Sequence, residues 1–323
     1  MYDLRVRRIA ILGIVLAAIA IAAVSGWFAV SAAIAAMEGP SPAAGLTPGS
    51  TSTPIAPAPP PRVRAVQVKK LRPISGTFKA AGLQQYIECH GPTERKAVPG
   101  EPPLVVIPGL HSGINYLSGL TENLLRTHYV CVYDRPGNEL SPYRSGRLTL
   151  TAQDHARELA ALLTRVGITG PVVLVPHSYP GLIAQAFWQA FPERVAGIVL
   201  LDTPPPGMGI GSMWSESNTS VDITVSQKLI AKGPRMGNVP LMIVSSGAGG
   251  VDTPETPARA LDKFSTNVEN ILLPGAPHEM WHEYMPAVLA ATRILVNSAT
   301  TGQPLPACAP AKKAWSALAA ECF

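Results

Sequence analysis

This sequence predicts an α/β fold with a mostly parallel eight-stranded sheet and helices on both faces. Short apolar runs recur along it, as at Val172-Val173-Leu174-Val175 and Val195-Ala196-Gly197-Ile198-Val199-Leu200-Leu201. Runs with no polar alternation are buried on both faces, the condition of parallel strands. Helical periodicity falls between them, as from Thr151 to Val166, where Ala156, Leu159, Leu162 and Leu163 share one face. Strands alternating with helices make a doubly wound sheet the economical arrangement.

The chain opens with Arg5, Arg7 and Arg8, and Ile9 to Met37 then carries no charge. That exceeds the roughly 20 residues that span a bilayer. It also exceeds the roughly 7–15-residue apolar core of a cleaved signal. Residues 1–37 are therefore expected to form an N-terminal transmembrane helix, arginines inside and the rest exported. Ala33-Ile34-Ala35 leaves a cleaved signal sequence, and so secretion, as the alternative. Residues 38–70 are rich in Pro, Ala and Ser and cannot bury a core, so they read as an extended linker.

Residues 1–72 hold eight Lys and Arg against Asp3 and Glu38, so they account for +6 and leave the remainder at −1 of the overall +5. A near-neutral globular part offers no basic face, which excludes nucleic acid as its partner. Arg62, Arg64, Lys69, Lys70 and Arg72 can touch anionic lipid head groups or stay simply solvated.

The globular part, 71–298, is long enough for one domain with a full core. Its second strand contains Cys89-His90-Gly91. The third, ending at Ile107, runs into Pro108-Gly109-Leu110-His111-Ser112-Gly113. The fourth, Tyr129-Val130-Cys131-Val132-Tyr133, leads to Asp134-Arg135-Pro136-Gly137-Asn138-Glu139-Leu140-Ser141. The fifth, from Val172, breaks off at Pro176-His177-Ser178-Tyr179-Pro180-Gly181, and Leu182 then begins a helical pattern. The sixth ends at Asp202. A short cap is expected at 203–239, where Met208, Met213 and Trp214 could form a small lid over an acyl pocket. The seventh is Pro240 to Gly247, the eighth runs from Val268 to a histidine at His278, and 299–323 form a C-terminal appendage.

A buried strand feeding straight into a helix puts Ser178 on a sharp turn, hydroxyl clear of the sheet and the next N–H facing a developing oxyanion. The glycines usual two residues either side of such a serine are Pro176 and Pro180 here. Pro180 suits a first helical turn, where its missing N–H has no acceptor to serve. It should also bias Tyr179 away from the α region. The plainer reading of Ser178 is a helix cap.

Taken together, these strings make the chain from about Leu71 to Asn297 resemble the α/β-hydrolase fold superfamily. The nearest likeness is to members with Cys-x-Gly in strand two, Cys before Tyr-Asp-Arg in strand four, and a serine elbow. The order Ser…Asp…His is the one this fold imposes. The resemblance implies a serine hydrolase with Ser178 as nucleophile and His278 as general base. The backbone N–H groups of Tyr179 and Leu110 would form the oxyanion hole, and Asp134 and Arg135 would fix their loop by hydrogen bonds. A serine hydroxyl hardly ionises at neutral pH, so it needs an imidazole to take its proton and a carboxylate to orient that imidazole.

Two residues compete for the acid. Asp252 lies near the usual slot after strand seven, in a glycine-rich loop. Asp202 ends strand six, and preorganisation favours its rigid position. Four cysteines in an exported domain suggest disulfides. Cys308 and Cys322 bracket the appendage and are the first choice. Cys89 and Cys131 would then pair, which the resemblance supports by putting them on neighbouring strands, while free thiols stay open. His278-Glu279-Met280-Trp281-His282 spells a zinc-protease string, but Pro274, Gly275 and Pro277 deny it an established helix, and no third ligand is evident. No metal and no cofactor is expected.

The expected function is hydrolysis of a small-molecule or lipid-like carboxylic ester through an acyl-enzyme, outside the cytoplasm on a membrane anchor. The alternatives are a non-catalytic binding protein of the same fold, or cofactor-free haloperoxidase or amidase chemistry on the same triad. Dehalogenase chemistry is disfavoured, since it needs a carboxylate where Ser178 stands.

Overall fold

The computed structural model describes residues 71–96, 98–146, 148–206, 213–216, 218–247 and 260–322. The expected anchor at 1–37, the linker at 38–70, Met208 and Asp252 lie outside these. Among the described residues no helix is long and apolar enough to cross a membrane.

The chain enters through an antiparallel pair, β1 (Ile74–Ala80) and β2 (Leu83–His90), and then alternates strands with helices. The central run is β3 (Leu104–Ile107), α1 (Ser118–Leu125), β4 (Val130–Tyr133), the short β5 (Thr149–Leu150), α2 (Ala152–Arg165), β6 (Val172–Pro176), α3 (Pro180–Ala190) and β7 (Val195–Leu201). The cap segment holds β8 (Met213–Glu216), β9 (Thr219–Asp222) and α4 (Ile223–Lys232). The chain then forms β10 (Leu241–Ser246), β11 (Val268–Leu273), α5 (Met285–Thr301), α6 (Cys308–Ser316) and β12 (Glu321–Cys322).

The main sheet runs β1-β2-β4-β3-β6-β7-β10-β11-β12. Its six central strands, β4 to β11 in that order, are parallel. All residues of β3, β4, β6 and β7 are buried. Side chains alternate between two cores: Val105 and Ile107 face α2 and α3, whereas Leu104 and Val106 face α1 and α5. The expected α2 forms as read, with a capping box that pairs the Thr151 and Asp154 side chains with each other's backbone N–H.

Among the described residues the sheet has nine strands, not the expected eight, because the appendage joins it. Glu321 and Cys322 pair antiparallel with Leu272 and Ile271, which covers the free edge of β11. Trp315 of α6 is buried and donates its Nε1–H to Glu269 of β11 at 3.0 Å. The boundary expected at 298 falls inside α5, which continues to Thr301 before Gly302 ends it in a left-handed conformation. Within the described part of the cap, β8 and β9 form a hairpin that joins β5 in a second, three-stranded sheet.

Cys89 bonds Cys131 and Cys308 bonds Cys322. The first pair sits directly opposite across β2 and β4. The second closes the appendage onto its own helix. Replacing Cys89 and Cys131 together by Ser is expected to lower the unfolding free energy by about 4 kcal/mol, because the bridge spans 42 residues of sequence. Chemical denaturation of the two proteins side by side measures it.

Candidate active site

β6 stops at Pro176, and His177 makes a single further bridge to Leu201. Ser178 donates its N–H to the Leu201 carbonyl at 2.8 Å and sits at φ 64°. A non-glycine residue held in this left-handed region costs about 1–3 kcal/mol and marks a position that the surroundings enforce. The turn closes with Gly181 N–H on the Ser178 carbonyl at 2.9 Å, and α3 begins at Pro180.

The effect expected of Pro180 on Tyr179 is not observed. Tyr179 adopts φ −43° and ψ −44°, inside the α region. Its carbonyl accepts from Leu182 N–H at 2.8 Å and its side chain is fully buried, so helix start and packing override the pre-proline preference. The close-approach glycine of the turn stands at Gly181. A Cβ there would come within 2.0 Å of Thr203 Oγ1, so α3 can lie against the chain just after Asp202 only with glycine at this place.

Asp202 ends β7 at φ 46°, a conformation that short polar side chains tolerate better than most. Its Oδ2 accepts from His278 Nδ1 at 2.5 Å and from Ser246 Oγ at 2.9 Å, while Oδ1 accepts from Ser246 N–H at 3.0 Å. Burial pushes this carboxyl up, but the bonds from His278 and Ser246 outweigh it and hold it below the ordinary value. The Asp202 hydrogen bond raises His278 above the usual imidazole value, against the opposing effect of burial.

The strand expected to end at His278 stops at Leu273. Pro274, Gly275 at φ 74° and Pro277 follow, and the chain comes back against Gly247, just after β10. Gly247 permits that return. It donates its N–H to the Leu273 carbonyl, and a Cβ on it would lie 2.8 Å from both that oxygen and Gly275 N.

His177 ties the serine turn to the histidine loop. Its Nε2–H donates to the His278 carbonyl at 3.0 Å, and the two rings lie 4.4 Å apart. Burial, then the nearby His278, lower the His177 pKa to about 4, so near neutral pH it is a neutral donor. On its far side Trp281 meets it edge-on at 4.7 Å. Tyr116 packs edge-on against Trp281 and donates its hydroxyl to Glu279, the neighbour of His278.

The loop after β3 is held from below. Buried Arg135 donates to the carbonyls of Pro108 and Gly109, each at 2.5 Å. Asn138 Nδ2 donates to the Ser112 carbonyl, and Asp134 accepts from the N–H groups of Ile114 and Leu140. Burial drives Asp134 up to about 6 despite those bonds. Asp134 thus fixes its own loop through Leu140, as expected, while the Arg135 bonds reach across to the loop after β3. Leu110 follows on the same loop, and Gly109 lies against His177: a Cβ on it would be 3.1 Å from Nδ1.

Ser178 and Asp202 thus follow directly on β6 and β7, Leu110 lies on the loop after β3, and His278, on the loop after β11, meets Asp202. His282 is exposed at the end of a single 3₁₀ turn, Met280–His282, so the two histidines of the His-Glu-x-x-His string do not share an α-helical face. Among the described residues no group of three or more His, Cys, Asp and Glu could hold a metal ion. His111 is an exposed loop residue.

Three contributions escaped the sequence reading: Ser246 on Asp202, Tyr116 on Glu279, and Gly181 against Thr203. Only Gly181 left a local signal, a glycine just inside a helix. The other two are pairings of residues 44 and 163 positions apart.

Comparison with known proteins agrees with this architecture. Residues 102–229 match the family described as the alpha/beta hydrolase fold. A cis-3-alkyl-4-alkyloxetan-2-one decarboxylase of Shewanella oneidensis is 32% identical over 103 residues, 31% of this chain and 32% of that protein. The match thus spans about a third of that relative's length. Among solved structures, a thermophilic esterase from Thermogutta terrifontis superposes with a TM-score of 0.51 at 17% identity, over 71% of this chain and 100% of the other. A bacterial membrane phospholipase A superposes at 0.53 and 11% identity, over 70% and 86%. At such identities the likeness establishes the fold alone: this chain has the α/β-hydrolase fold.

Gly181→Ala is expected to destabilise the protein by about 1–3 kcal/mol through the forced overlap with Thr203. Adding Thr203→Gly should recover much of the loss. Urea denaturation of the single and double variants reads this, and an unchanged Gly181→Ala protein would contradict the packing argument.

Proposed function

We propose that this chain is a serine hydrolase acting on carboxylic esters, with Ser178 as nucleophile, His278 as general base and Asp202 as the acid. The observation that carries the proposal is the Asp202–His278 hydrogen bond, formed at the strand ends where Ser178 occupies a left-handed turn. In this reading His278 takes the Ser178 proton as the hydroxyl attacks the ester carbonyl. Asp202 stabilises the imidazolium so formed, and the N–H groups of Tyr179 and Leu110 receive the oxyanion. The proton then passes to the leaving alcohol, and water resolves the acyl-enzyme by the same steps.

The family match and the esterase neighbour support a hydrolytic enzyme. Ester rather than amide chemistry, and a small or lipid-like substrate, are part of the proposal. So is an exported domain on a membrane anchor, for which the support is the uncharged stretch Ile9 to Met37 after three arginines.

Purified full-length protein should be labelled by a fluorophosphonate probe and should turn over a short-chain p-nitrophenyl ester. Ser178→Ala should lose both, with turnover falling by a factor on the order of 10⁵ to 10⁶. A folded wild-type protein that neither labels nor hydrolyses would sink the proposal and favour a binding protein built on the same fold.

The pH dependence has a definite sign. A general base acts unprotonated, so kcat/KM should fall as pH drops through the raised pKa of His278, giving an acid limb above pH 6.5. Asp202→Asn removes the group that raises it, so its acid limb should move down while kcat drops by a factor on the order of 10⁴. A pH–rate profile of both proteins tests this.

A further inference from the structure

We propose that Ser246 is a positioning residue for the Asp202–His278 pair, gripping both carboxylate oxygens and setting how much of their charge reaches the imidazole. This rests on the serine-hydrolase reading for its catalytic consequence but not for its geometry.

The seventh strand of this fold usually supplies the acid. Here β10 ends in Ser245-Ser246-Gly247, and the carboxylate comes from β7 next door. The two strands run parallel and in register, Val244 beside Leu201, with Asp202 N–H on the Val244 carbonyl at 2.8 Å. Continued by one step, that register sets Ser245 beside Asp202, and the Asp202 carboxylate reaches one residue further along β10 to Ser246. An ionised carboxylate only accepts hydrogen bonds, so both groups of Ser246 must donate: the N–H to Oδ1 at 3.0 Å and the hydroxyl to Oδ2 at 2.9 Å. Oδ2 is also the oxygen that faces His278 Nδ1 at 2.5 Å. Two donors therefore share one oxygen, and three donors in all fix the plane of the carboxylate. With its plane fixed, the carboxylate holds the imidazole ring in one orientation.

The hydroxyl also competes for charge. A donor on Oδ2 spreads part of its negative charge away from the imidazole. Removing that donor concentrates charge on the oxygen facing Nδ1, which stabilises the imidazolium more strongly. The other titratable groups around His278 are unchanged by the substitution: Glu279 beside it, held by Tyr116, and His177, whose ring packs against it. The hydroxyl of Ser246 is thereby a single, removable control on the base.

The test follows His278 directly. Full-length protein carrying labelled histidine is titrated by NMR as wild type, Ser246→Ala and Ser246→Thr. The His278 pKa should rise in Ser246→Ala and return to the wild-type value in Ser246→Thr, which keeps the hydroxyl. In parallel, kcat for a p-nitrophenyl ester at neutral pH should fall about tenfold in Ser246→Ala with KM little changed, and recover with Thr. A Ser246→Ala protein that titrates like wild type overturns the proposal, whatever its activity. A raised pKa reversed by Thr supports it even in a chain that shows no turnover, and that combination would place the failure on the serine-hydrolase reading instead.

Discussion

The Asp202 carboxylate is the point on which the site depends, because three separate strands meet there. It ends β7, takes both of its Ser246 bonds from the end of β10, and holds the histidine carried by the loop after β11. A partly buried charge at the end of a central strand is tolerable only when its oxygens are met by donors, and here each one is. The left-handed backbone at Asp202 and the half-buried side chain follow from that requirement. Parallel order makes it possible, since it brings every participating strand to its C-terminal end on the same side of the molecule.

Close approach of backbones is the second constraint. Gly181 lets the helix after Ser178 lie against Thr203, and Gly247 lets the chain after β11 fold back over β10. Neither glycine does chemistry. The first leaves room for the Thr203 side chain, and the second for the backbone from Leu273 to Gly275. The oxyanion loop is held differently, by the buried Arg135 fork on two successive carbonyls. Buried arginine is expensive unless fully engaged, so its position beneath Pro108 and Gly109 ties the loop's shape to the stability of the domain. The prolines around Ser178, which depart from the glycines usual for such a turn, stand at the last residue of β6 and the first of α3.

A polar and aromatic chain surrounds this core of the site. Neutral His177 bonds the His278 carbonyl, Trp281 packs on His177, and Tyr116 packs on Trp281 while holding Glu279. The histidine loop, which begins with Pro274 and Gly275 and carries the 3₁₀ turn Met280–His282, is thus held at His278 and at Glu279. A general base on a loop can be well oriented only if the loop is anchored in this way.

Much of this was readable in the sequence, and the reason is local. Uninterrupted apolar runs mark parallel strands, a strand breaking off at His177-Ser178 marks a turn, and the chain order of Ser178, Asp202 and His278 follows from the order of the strands. The cysteine pairs were expected on two grounds: Cys308 and Cys322 bracket the appendage, and the family resemblance puts Cys89 and Cys131 on neighbouring strands. The aspartate partner of His278 was only leaned towards: the rigid strand end favoured Asp202 over Asp252, and the three-dimensional fold puts the Asp202 carboxylate on the imidazole. The α conformation of Tyr179, the ninth strand from Glu321 and Cys322, and the grip of Ser246 were likewise decided in three dimensions. They depend on residues distant in sequence becoming neighbours, and such contacts arise from the packing of the whole sheet rather than from any one segment.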